Sequence, residues 1–325
     1  MARVLILADD LTGAADCAAA FLGHARHVGI ALDARARARG SVVALDLDTR
    51  AKSQRAARAV VRKAFSARAA RNAGILFKKI DSTLRGHVTA ELAAARAVLG
   101  PGRPVIFAPA FPAQGRTTRN GRLYVKGVPV RGVSRLPMLD ARTDADLDAI
   151  VRIGLALRPT PLFVGSAGLA RALARTLRPT RTARRGKILP RPVITVVGSA
   201  SPVSARQATR LSRSRALGKH DLLVRLEWTR KPVASAMPAL RRLGRIVARF
   251  GPRAHYVLTG GETARAVLGA LGIRELRLLG EVEPGVPLGV ARDGTLVCTK
   301  AGAFGTPDTL VKCVARLKLE WQHGK

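Results

Sequence analysis

The feature of this sequence that most limits its fold is a recurring unit of apolar run, short turn and amphipathic segment. In the first copy, the apolar run RVLILA at residues 3–8 stops at two aspartates, and LTGAADCAAAFLG follows as a predicted helix with Thr12 as a plausible N-cap. Strands are also predicted at residues 41–47 and 74–78, with a helix at 54–70 between them. This alternation favours a parallel sheet covered by helices, so the fold class is predicted to be α/β.

The same unit continues to the end of the chain and predicts two domains, each with a mostly parallel sheet and flanking helices. A segment at 179–191, rich in proline and basic residues without apolar periodicity, is predicted to link domains at 1–178 and 192–325. After it come predicted strands in PVITVV, at 222–226 and in HYVLT, and predicted helices at 204–215, 235–250 and 262–271, before a glycine-rich tail. In the first domain, helices are predicted at 89–99 and 143–157, strands in PVIFAPAF and PLFVG, and a hairpin-like stretch at 120–137.

Composition sets limits on the class of protein. A chain of 325 residues with 47% hydrophobic residues can bury two medium cores. The three cysteines, Cys17, Cys298 and Cys313, are too far apart for a CxxC motif and indicate a reducing compartment. Neither a signal-peptide pattern nor a long uncharged apolar stretch is found, so a cytoplasmic protein without membrane contact is expected.

The net charge of +36 invites a nucleic-acid function, because lysine and arginine neutralise phosphates. Its distribution argues against one, since the arginines stand singly among alanines and leucines and aromatic residues make up only 4% of the chain. A solvated, arginine-rich surface is therefore expected, and no specific nucleic acid. Steering of anionic substrates and true polyanion binding stay open as alternatives.

In the first half, the motif KKIDSTLRG at 78–86 places two ammonium groups, a carboxylate, two hydroxyls and a guanidinium behind a strand. Arg85 could hold a carboxylate in a two-pronged contact, Lys79 could meet a phosphate, and Asp81 could orient or deprotonate a hydroxyl. The alternative is an internally paired, exposed helix start.

Other polar groups of this half also follow predicted strands. Asp9 and Asp10 are suited to fixing sugar hydroxyls or to acting as a base, with helix capping as the alternative. Arg50, Gln114 and Arg116 could reach an anion. The histidines, which include His24, His27 and His87, show no metal-ligand spacing.

In the second half, TGGETA at 259–264 joins a buried strand to a helix through two glycines. Such a turn can bind phosphate, because Gly260 and Gly261 admit a close approach and the first helical N–H groups lack partners. The alternative is a tight turn capped by Thr263. Two further small-residue loops, VGSAS at 197–201 and TKAGAFG at 299–305, could complete a nucleotide site, with Ser199 donating a hydroxyl and Gly302 near the phosphates.

Six motifs occur in a fixed order: ADDLTGAAD (8–16), KKIDSTLRG (78–86), APAFPAQGRT (108–117), VGSAGLA (164–170), TGGETA (259–264) and KAGAFG (300–305). Together they resemble the four-carbon acid sugar kinases over nearly the whole chain. The resemblance implies an N-terminal domain that binds threonate, erythronate or a 3-oxo-tetronate, a C-terminal domain that binds ATP, and an active site in the cleft between them. It also implies transfer of the γ-phosphate to the terminal hydroxyl, which gives the 4-phosphate.

The resemblance also implies roles for individual residues. The catalytic base is expected to be Asp10 or Asp81. The resemblance places substrate binding on five residues: Asp10, Arg50, Lys79, Asp81 and Arg85. Three further residues of the motifs are also expected to bind the sugar acid: Asp9, Ser82 and Arg116. Six are expected to bind ATP: Ser199, Gly260, Gly261, Glu262, Thr263 and Gly302. Mg²⁺ is expected to accompany ATP, without an assigned protein ligand, and a homodimer is possible.

One departure from the family pattern concerns the substrate domain. Members usually carry a longer stretch before the helix at 143–157, whereas this chain passes from Val130 to Asp140 in few residues. Part of the substrate domain is thus predicted to be missing. The alternative function is a catalytically weakened member that binds a metabolite or a polyanion.

Overall fold

The computed structural model describes residues 3–33, 40–130, 137–180, 188–227 and 236–322. Two compact units make up the chain, residues 1–182 and 183–325. Both consist of a mostly parallel sheet with helices on its faces, which confirms the predicted α/β class. The predicted linker lies largely outside the described residues.

The sheet of the first unit is built from six parallel strands in the order β2-β3-β1-β4-β9-β5. The strands of this unit are β1 (Val4–Ala8), β2 (Val28–Ala31), β3 (Val42–Asp46), β4 (Ile75–Lys79), β5 (Val105–Ala108), β6 (Arg116–Arg119), β7 (Arg122–Val125), β8 (Val128–Pro129) and β9 (Leu162–Gly165). Strands β6, β7 and β8 form a separate antiparallel sheet. The helices are α1 (Leu11–Ala19), α2 (Gln54–Ser66), α3 (Arg68–Arg71), α4 (Val88–Leu99), α5 (Asp144–Ala156) and α6 (Ala167–Arg175).

Both faces of this sheet are buried, which explains why its strands are continuous apolar runs rather than alternating ones. Leu5 and Leu7 of β1 belong to a core that includes Val61 and Phe65 of α2 and also residues of α4. Helices α1 and α6 pack against each other, and α5 packs on α6. Because side chains alternate across a strand, neighbouring residues of β1 and β4 meet different surroundings.

The second unit repeats this plan with one reversed strand. Its sheet has the order β11-β10-β12-β15-β14-β13, in which β14 is antiparallel to both neighbours and the pairs among the first four strands are parallel. The strands are β10 (Val193–Val197), β11 (Leu222–Arg225), β12 (His255–Thr259), β13 (Glu275–Glu281), β14 (Pro287–Val290) and β15 (Leu296–Lys300), and the helices are α7 (Pro202–Ser212), α8 (Met237–Ala248), α9 (Gly261–Ala270) and α10 (Thr309–Gln322). Helices α7 and α10 share one core with the sheet, and α8 packs against α9.

Several predictions of secondary structure were wrong. The N-cap of α1 is Asp10 rather than Thr12, and the Thr12 hydroxyl donates to the Asp10 carboxylate at 2.6 Å. The helix predicted at 54–70 is interrupted by the extended backbone of Ala67. Strand β2 was not predicted, and no elements were assigned within the glycine-rich tail, which holds β13, β14, β15 and α10.

The remaining boundaries agree with the predicted ones within a few residues, and the stretch at 120–137 is indeed a hairpin up to Pro129. Ser235, where one helix was predicted to begin, and residues 131–136 lie outside the described part of the chain. Within that part, every helix is too short or too polar to cross a lipid bilayer.

Candidate functional site

The polar residues predicted for the first unit lie where three adjacent strands end. Asp9 follows β1, Lys79 ends β4, and Arg50 lies in the loop after β3. Strand β1 pairs with both β3 and β4 in parallel, so the carboxyl ends of all three lie side by side. Strands β3 and β4 lie on opposite sides of β1, so the strand order reverses direction here. Ligands of open α/β sheets bind at the carboxyl ends of strands at such a switch point.

Arg50 is held between two carboxylates. Its Nε and Nη2 donate to Asp9 at 2.9 and 3.0 Å, and its Nη1 and Nη2 donate to Asp10 at 2.8 Å each. Burial opposes the charge of this guanidinium, but the carboxylates of Asp9 and Asp10 more than offset it and raise the pKa of Arg50. Arg50 was predicted to reach an anionic ligand, and the structure shows that four of its hydrogen bonds already go to the protein's own acids.

The two lysines that end β4 have different partners. The Lys78 ammonium forms a buried ion pair with Glu91 of α4 at 2.7 Å. The Lys79 ammonium lies 4.0 Å from Asp9. Burial disfavours both charges of that second pair, yet Lys79 together with Arg50 lowers the pKa of Asp9, and Asp9 raises the pKa of Lys79. Lys79 therefore belongs to the polar cluster, whereas Lys78 stabilises the sheet against α4.

Asp81 is bound by the turn that follows it. Its carboxylate accepts hydrogen bonds from the N–H and hydroxyl groups of Thr83, and from Arg85 Nε at 3.0 Å and Nη2 at 2.6 Å. Burial raises the pKa of Asp81, but the bonds from Arg85, the charge of Arg50 and the bonds from Thr83 lower it further than burial raises it. The alternative of internal pairing thus holds for this motif, although Asp81 is buried and helix α4 begins only at Val88.

Asp10 both caps a helix and belongs to the cluster. It accepts the Gly13 N–H at 2.9 Å, and a Cβ on Gly13 would collide with the Asp10 carboxylate and the Lys79 ammonium. Glycine at this position therefore lets the two groups approach the first turn of α1. The Asp10 side chain is 19% exposed, against 4% for Asp9 and 7% for Asp81, so Asp10 is the most accessible of the three carboxylates.

Arg116 and Ser82 each have a side-chain donor that makes no hydrogen bond with the described residues. The Nε of Arg116 is buried and has no hydrogen-bond partner in the described part of the chain, and burial lowers the pKa of this guanidinium while Asp81 acts in the opposite direction. A turn through Gly115, with a φ of 67°, brings Arg116 back to pair with Phe111. The Ser82 hydroxyl is half-buried and makes no hydrogen bond with any described residue.

Sequence reasoning gave no role to Asp16 and Arg171, which extend the cluster. Arg171 Nη2 lies 3.8 Å from Asp16 Oδ1, and the guanidinium lies over the Phe111 ring at 5.6 Å. Arg171 belongs to α6, directly after the VGSAGLA motif, and that adjacency was the available signal.

In the second unit, the three small-residue loops meet at one sheet edge. They follow β10, β12 and β15, which are parallel neighbours. A Cβ on Gly302 would collide with the Ser199 hydroxyl, one on Gly198 would collide with Thr263, and one on Gly260 would lie 3.4 Å from Ser199 Cβ. Four of the six residues predicted to bind ATP are therefore in mutual contact, and the other two, Gly261 and Glu262, open α9 beside them.

The turn before α9 needs glycine for its backbone. Gly260 is the N-cap with a φ of 92°, a region that favours glycine, and no side chain caps the helix. The alternative in which Thr263 caps this helix is therefore wrong. An uncapped helix start leaves backbone N–H groups available to an anion.

Lys300, to which sequence reasoning gave no role, ends β15 beside this turn. Its buried ammonium donates to Ser204 Oγ and to the Gly302 carbonyl, each at 3.2 Å. Among the described residues, no group of three or more His, Cys, Asp or Glu side chains is arranged to hold a metal ion.

The two halves match two family models, described as a sugar-binding N-terminal domain (residues 4–137) and a nucleotide-binding C-terminal domain (residues 225–310). The chain is 34% identical to a D-threonate kinase of Cupriavidus necator H16, with 94% of this chain and 96% of that protein covered. It is 32% identical to a D-threonate kinase of Bordetella bronchiseptica RB50, with 76% and 80% covered.

The first of these alignments runs over 402 positions, more than the 325 residues of the chain, so the relative carries internal segments that this chain lacks. This agrees with a shortened chain, and the loss of part of the substrate domain between Val130 and Asp140 stays a prediction. The fold is also similar to that of Haemophilus influenzae protein HI1011, with a TM-score of 0.71, 16% identity, and 97% and 100% of the two chains covered.

Proposed function

Because this chain belongs to the four-carbon acid sugar kinase family, we propose that it transfers the γ-phosphate of ATP to the terminal hydroxyl of a four-carbon sugar acid, giving the 4-phosphate. D-threonate is the first acceptor to test, since it is the substrate in the names of the two relatives above. The observation that carries this proposal is the polar cluster of the first unit, where three carboxylates and three cations pair with one another at the ends of neighbouring strands.

The cluster suits a hydroxylated acid for two reasons. Carboxylates accept hydrogen bonds from sugar hydroxyls, and Asp10 is the one exposed enough to do so directly. A guanidinium binds the acid group of the substrate in a two-pronged contact, for which Arg116 has an unused buried donor and Arg85 an exposed side chain. The Ser82 hydroxyl supplies a further donor or acceptor.

In this proposal Asp9, Arg50 and Lys79 position the reacting groups rather than perform the chemistry. Arg50 fixes the Asp9 and Asp10 carboxylates in place, and Lys79 balances the buried charge of Asp9. Positioning of this kind is most of what a phosphoryl-transfer site has to supply, because the transition state is loose.

Asp10 is the better candidate for the base because its side chain is 19% exposed, against 7% for Asp81. Both carboxylates already accept hydrogen bonds from a threonine and an arginine, so exposure is what separates them. As the bond between the substrate oxygen and phosphorus forms and the bond from phosphorus to ADP breaks, the hydroxyl proton passes to the Asp10 carboxylate. The proton leaves late in a loose transition state, so the base has only to lie within reach of the hydroxyl as the new bond to phosphorus forms.

The loops of the second unit support ATP as the donor. Gly198 and Gly302 let the three loops lie close together, because a Cβ on either would collide with Thr263 or Ser199. The uncapped start of α9 at Gly260 offers N–H groups to phosphate. Glu262, in the first turn of α9, is the acidic residue of this set and would hold Mg²⁺ directly or through water. When bound, the ion neutralises charge that develops on the transferring phosphoryl group.

The test is ADP release by the full-length protein with Mg-ATP and a panel of tetronates: D- and L-threonate, D- and L-erythronate and the 3-oxo-tetronates. We expect release that depends on one of these acids, with phosphate on its terminal carbon by ³¹P NMR. No acceptor-dependent release across the panel would sink the proposal. Saturable tetronate binding without turnover would instead favour a metabolite sensor, and tight, steeply salt-dependent RNA or DNA binding would favour a polyanion-binding protein.

A further inference from the structure

Lys300 lies next to the glycine turn whose backbone N–H groups are available to an anion. It is the last residue of β15, and its carbonyl accepts the N–H of Gly260 at 2.8 Å. The lysine is thereby joined to the glycine turn that opens α9, at the carboxyl end of two parallel strands. Two residues further on, Gly302 lies against Ser199.

The charge of Lys300 is not matched by the protein around it. The side chain is 1% exposed, and no carboxylate lies within 4.0 Å of its ammonium in the described part of the chain. Its two acceptors, the Ser204 hydroxyl and the Gly302 carbonyl, are neutral and leave one of its three N–H donors without a partner among the described residues. Burial of an ammonium without a counter-charge is unfavourable.

The carboxylate that acts electrostatically on Lys300, Glu283, is already engaged by other residues. Glu283 accepts hydrogen bonds from Thr306 and Thr309 and forms an ion pair with Lys312. Burial lowers the pKa of Lys300 to about 8, and Glu283 and the Cys313 thiol of α10 oppose this shift without cancelling it. A ligand that brings negative charge would therefore stabilise the ammonium.

Thr259 is a second buried polar residue at this place whose side chain lacks a partner among the described residues. It ends β12, pairs with Lys300 across the sheet and directly precedes Gly260. Its hydroxyl is buried and has no hydrogen-bond partner among the described residues. Buried hydroxyls are nearly always hydrogen-bonded, so this one is also short of an acceptor or donor.

We propose that Lys300 is the phosphate-binding cation of the nucleotide site, where its ammonium stabilises the phosphate chain of ATP. This rests on the proposed use of ATP by the second unit and adds a residue to the site. If Lys300 only connected β15 to the Gly302 loop, it would need hydrogen-bond donors but no charge, and a neutral amide side chain would serve as well. A positive charge is needed only if the partner is an anion.

The test measures the affinity of the full-length protein for adenosine, ADP and ATP by isothermal titration calorimetry. The variants are Lys300→Gln, which keeps a donor without the charge, and Lys300→Arg, which keeps the charge. Lys219→Gln, at an exposed position of the same unit, is the matched control for net charge. We expect Lys300→Gln to weaken ATP about 10- to 100-fold and to leave adenosine within about twofold, with Lys300→Arg intermediate and the control unchanged.

A pH series gives a readout that a structural role would not affect. ATP affinity of the wild type should fall between pH 7.5 and 9.5, because free Lys300 loses its proton through about pH 8 and the bound phosphate retains it. Lys300→Gln should be flat over this range. Although burial raises the pKa of Glu283, which acts on Lys300, the hydrogen bonds of Glu283 lower that pKa to about 2, so Glu283 stays ionised over this pH range. The same pH series on Cys313→Ser shows whether the Cys313 thiol contributes.

Three results separate the possible outcomes. Equal loss of adenosine and ATP in Lys300→Gln, or unchanged ATP affinity, would overturn the role of Lys300. Wild-type protein that binds ATP in a Lys300-dependent way but phosphorylates no tetronate would leave this role intact and refute the kinase proposal. Absence of adenine-nucleotide binding by the wild type would overturn both. Thermal unfolding of each variant shows whether Lys300→Gln is folded, and Lys300→Arg provides the second variant if it is not.

Discussion

Replacement of Arg116 by alanine tests how the first unit recognises the acid group of its substrate. Arg116 is half-buried, and its Nη1 donates to the Gln114 carbonyl at 3.5 Å while its buried Nε has no partner among the described residues. A substrate carboxylate could therefore gain charge-assisted hydrogen bonds from Nε and Nη2. Each such bond contributes about 1.5–3 kcal/mol. With allowance for partial exposure, the two-pronged contact should contribute about 3 kcal/mol, which is roughly a 100-fold fall in kcat/KM.

The matched control lies on the same strand. Arg119 ends β6, is exposed and stacks on the Tyr124 ring at 4.7 Å, so Arg119→Ala removes an equal charge without touching the cluster. Its effect on kcat/KM should be less than about twofold at 0.15 M salt, where exposed charges are largely screened.

The assay compares D-threonate with a tetritol of the same length that lacks the carboxylate. If Arg116 binds the acid group, Arg116→Ala should lose most of the preference for the acid, with KM rising more than kcat falls. Activity of Arg116→Ala toward the tetritol should be unchanged. Retention of the full acid preference in this variant would refute the assignment, and an equal loss on both acceptors would show that Arg116 acts on the fold of the site instead.

Three further predictions concern other parts of the two units. Asp10→Asn should lower kcat about 10²- to 10⁴-fold in rapid-quench kinetics, with ATP affinity unchanged. If Asp10→Asn is active and Asp81→Asn is inactive, Asp81 is the base instead. Lys78→Met should lower the free energy of unfolding by about 3–5 kcal/mol in urea titrations, because it leaves the Glu91 charge buried alone, and Lys78→Met with Glu91→Leu should recover most of it. Gly302→Ala should weaken ATP at least about tenfold without affecting D-threonate binding in calorimetry, since its methyl group collides with a serine hydroxyl; unchanged ATP affinity would remove this loop from the site.

Much of the fold could be predicted because buried parallel strands leave a clear trace in sequence. Residues 4–8, 42–46 and 75–79 are largely apolar runs that stop at charged residues, and the predictions for them agree with the structure. Strand β2 was missed because VGIA is short and contains a glycine. The tail was missed because Gly280 and Gly289 lie inside its antiparallel strands, where they weaken the strand pattern.

The position of the candidate site could be predicted, whereas its internal pairing could not. Ligand loops follow strand ends, and that rule alone brings Asp9, Arg50 and Lys79 together. Which cation neutralises which acid depends on contacts between residues 40 or more positions apart, as for Arg50 with Asp9 and Asp10. The same holds for Lys300, whose sequence neighbours do not show that its ammonium is buried without a carboxylate.

The charge of the first unit's cluster bears on how an acid can bind there. The chain carries a net charge of +36, yet Arg50, Lys79 and Arg85 are balanced by three carboxylates. Many other cations of the described residues are exposed, as on the outer face of α2. A substrate carboxylate therefore gains little from the net charge at short range, since surface charges are screened beyond about 10 Å at 0.1 M salt. It must use the spare donors of Arg116 or draw Arg85 away from its own acid. Because the first route breaks no existing ion pair, affinity for the acid group should depend on Arg116 more than on the total charge of the protein.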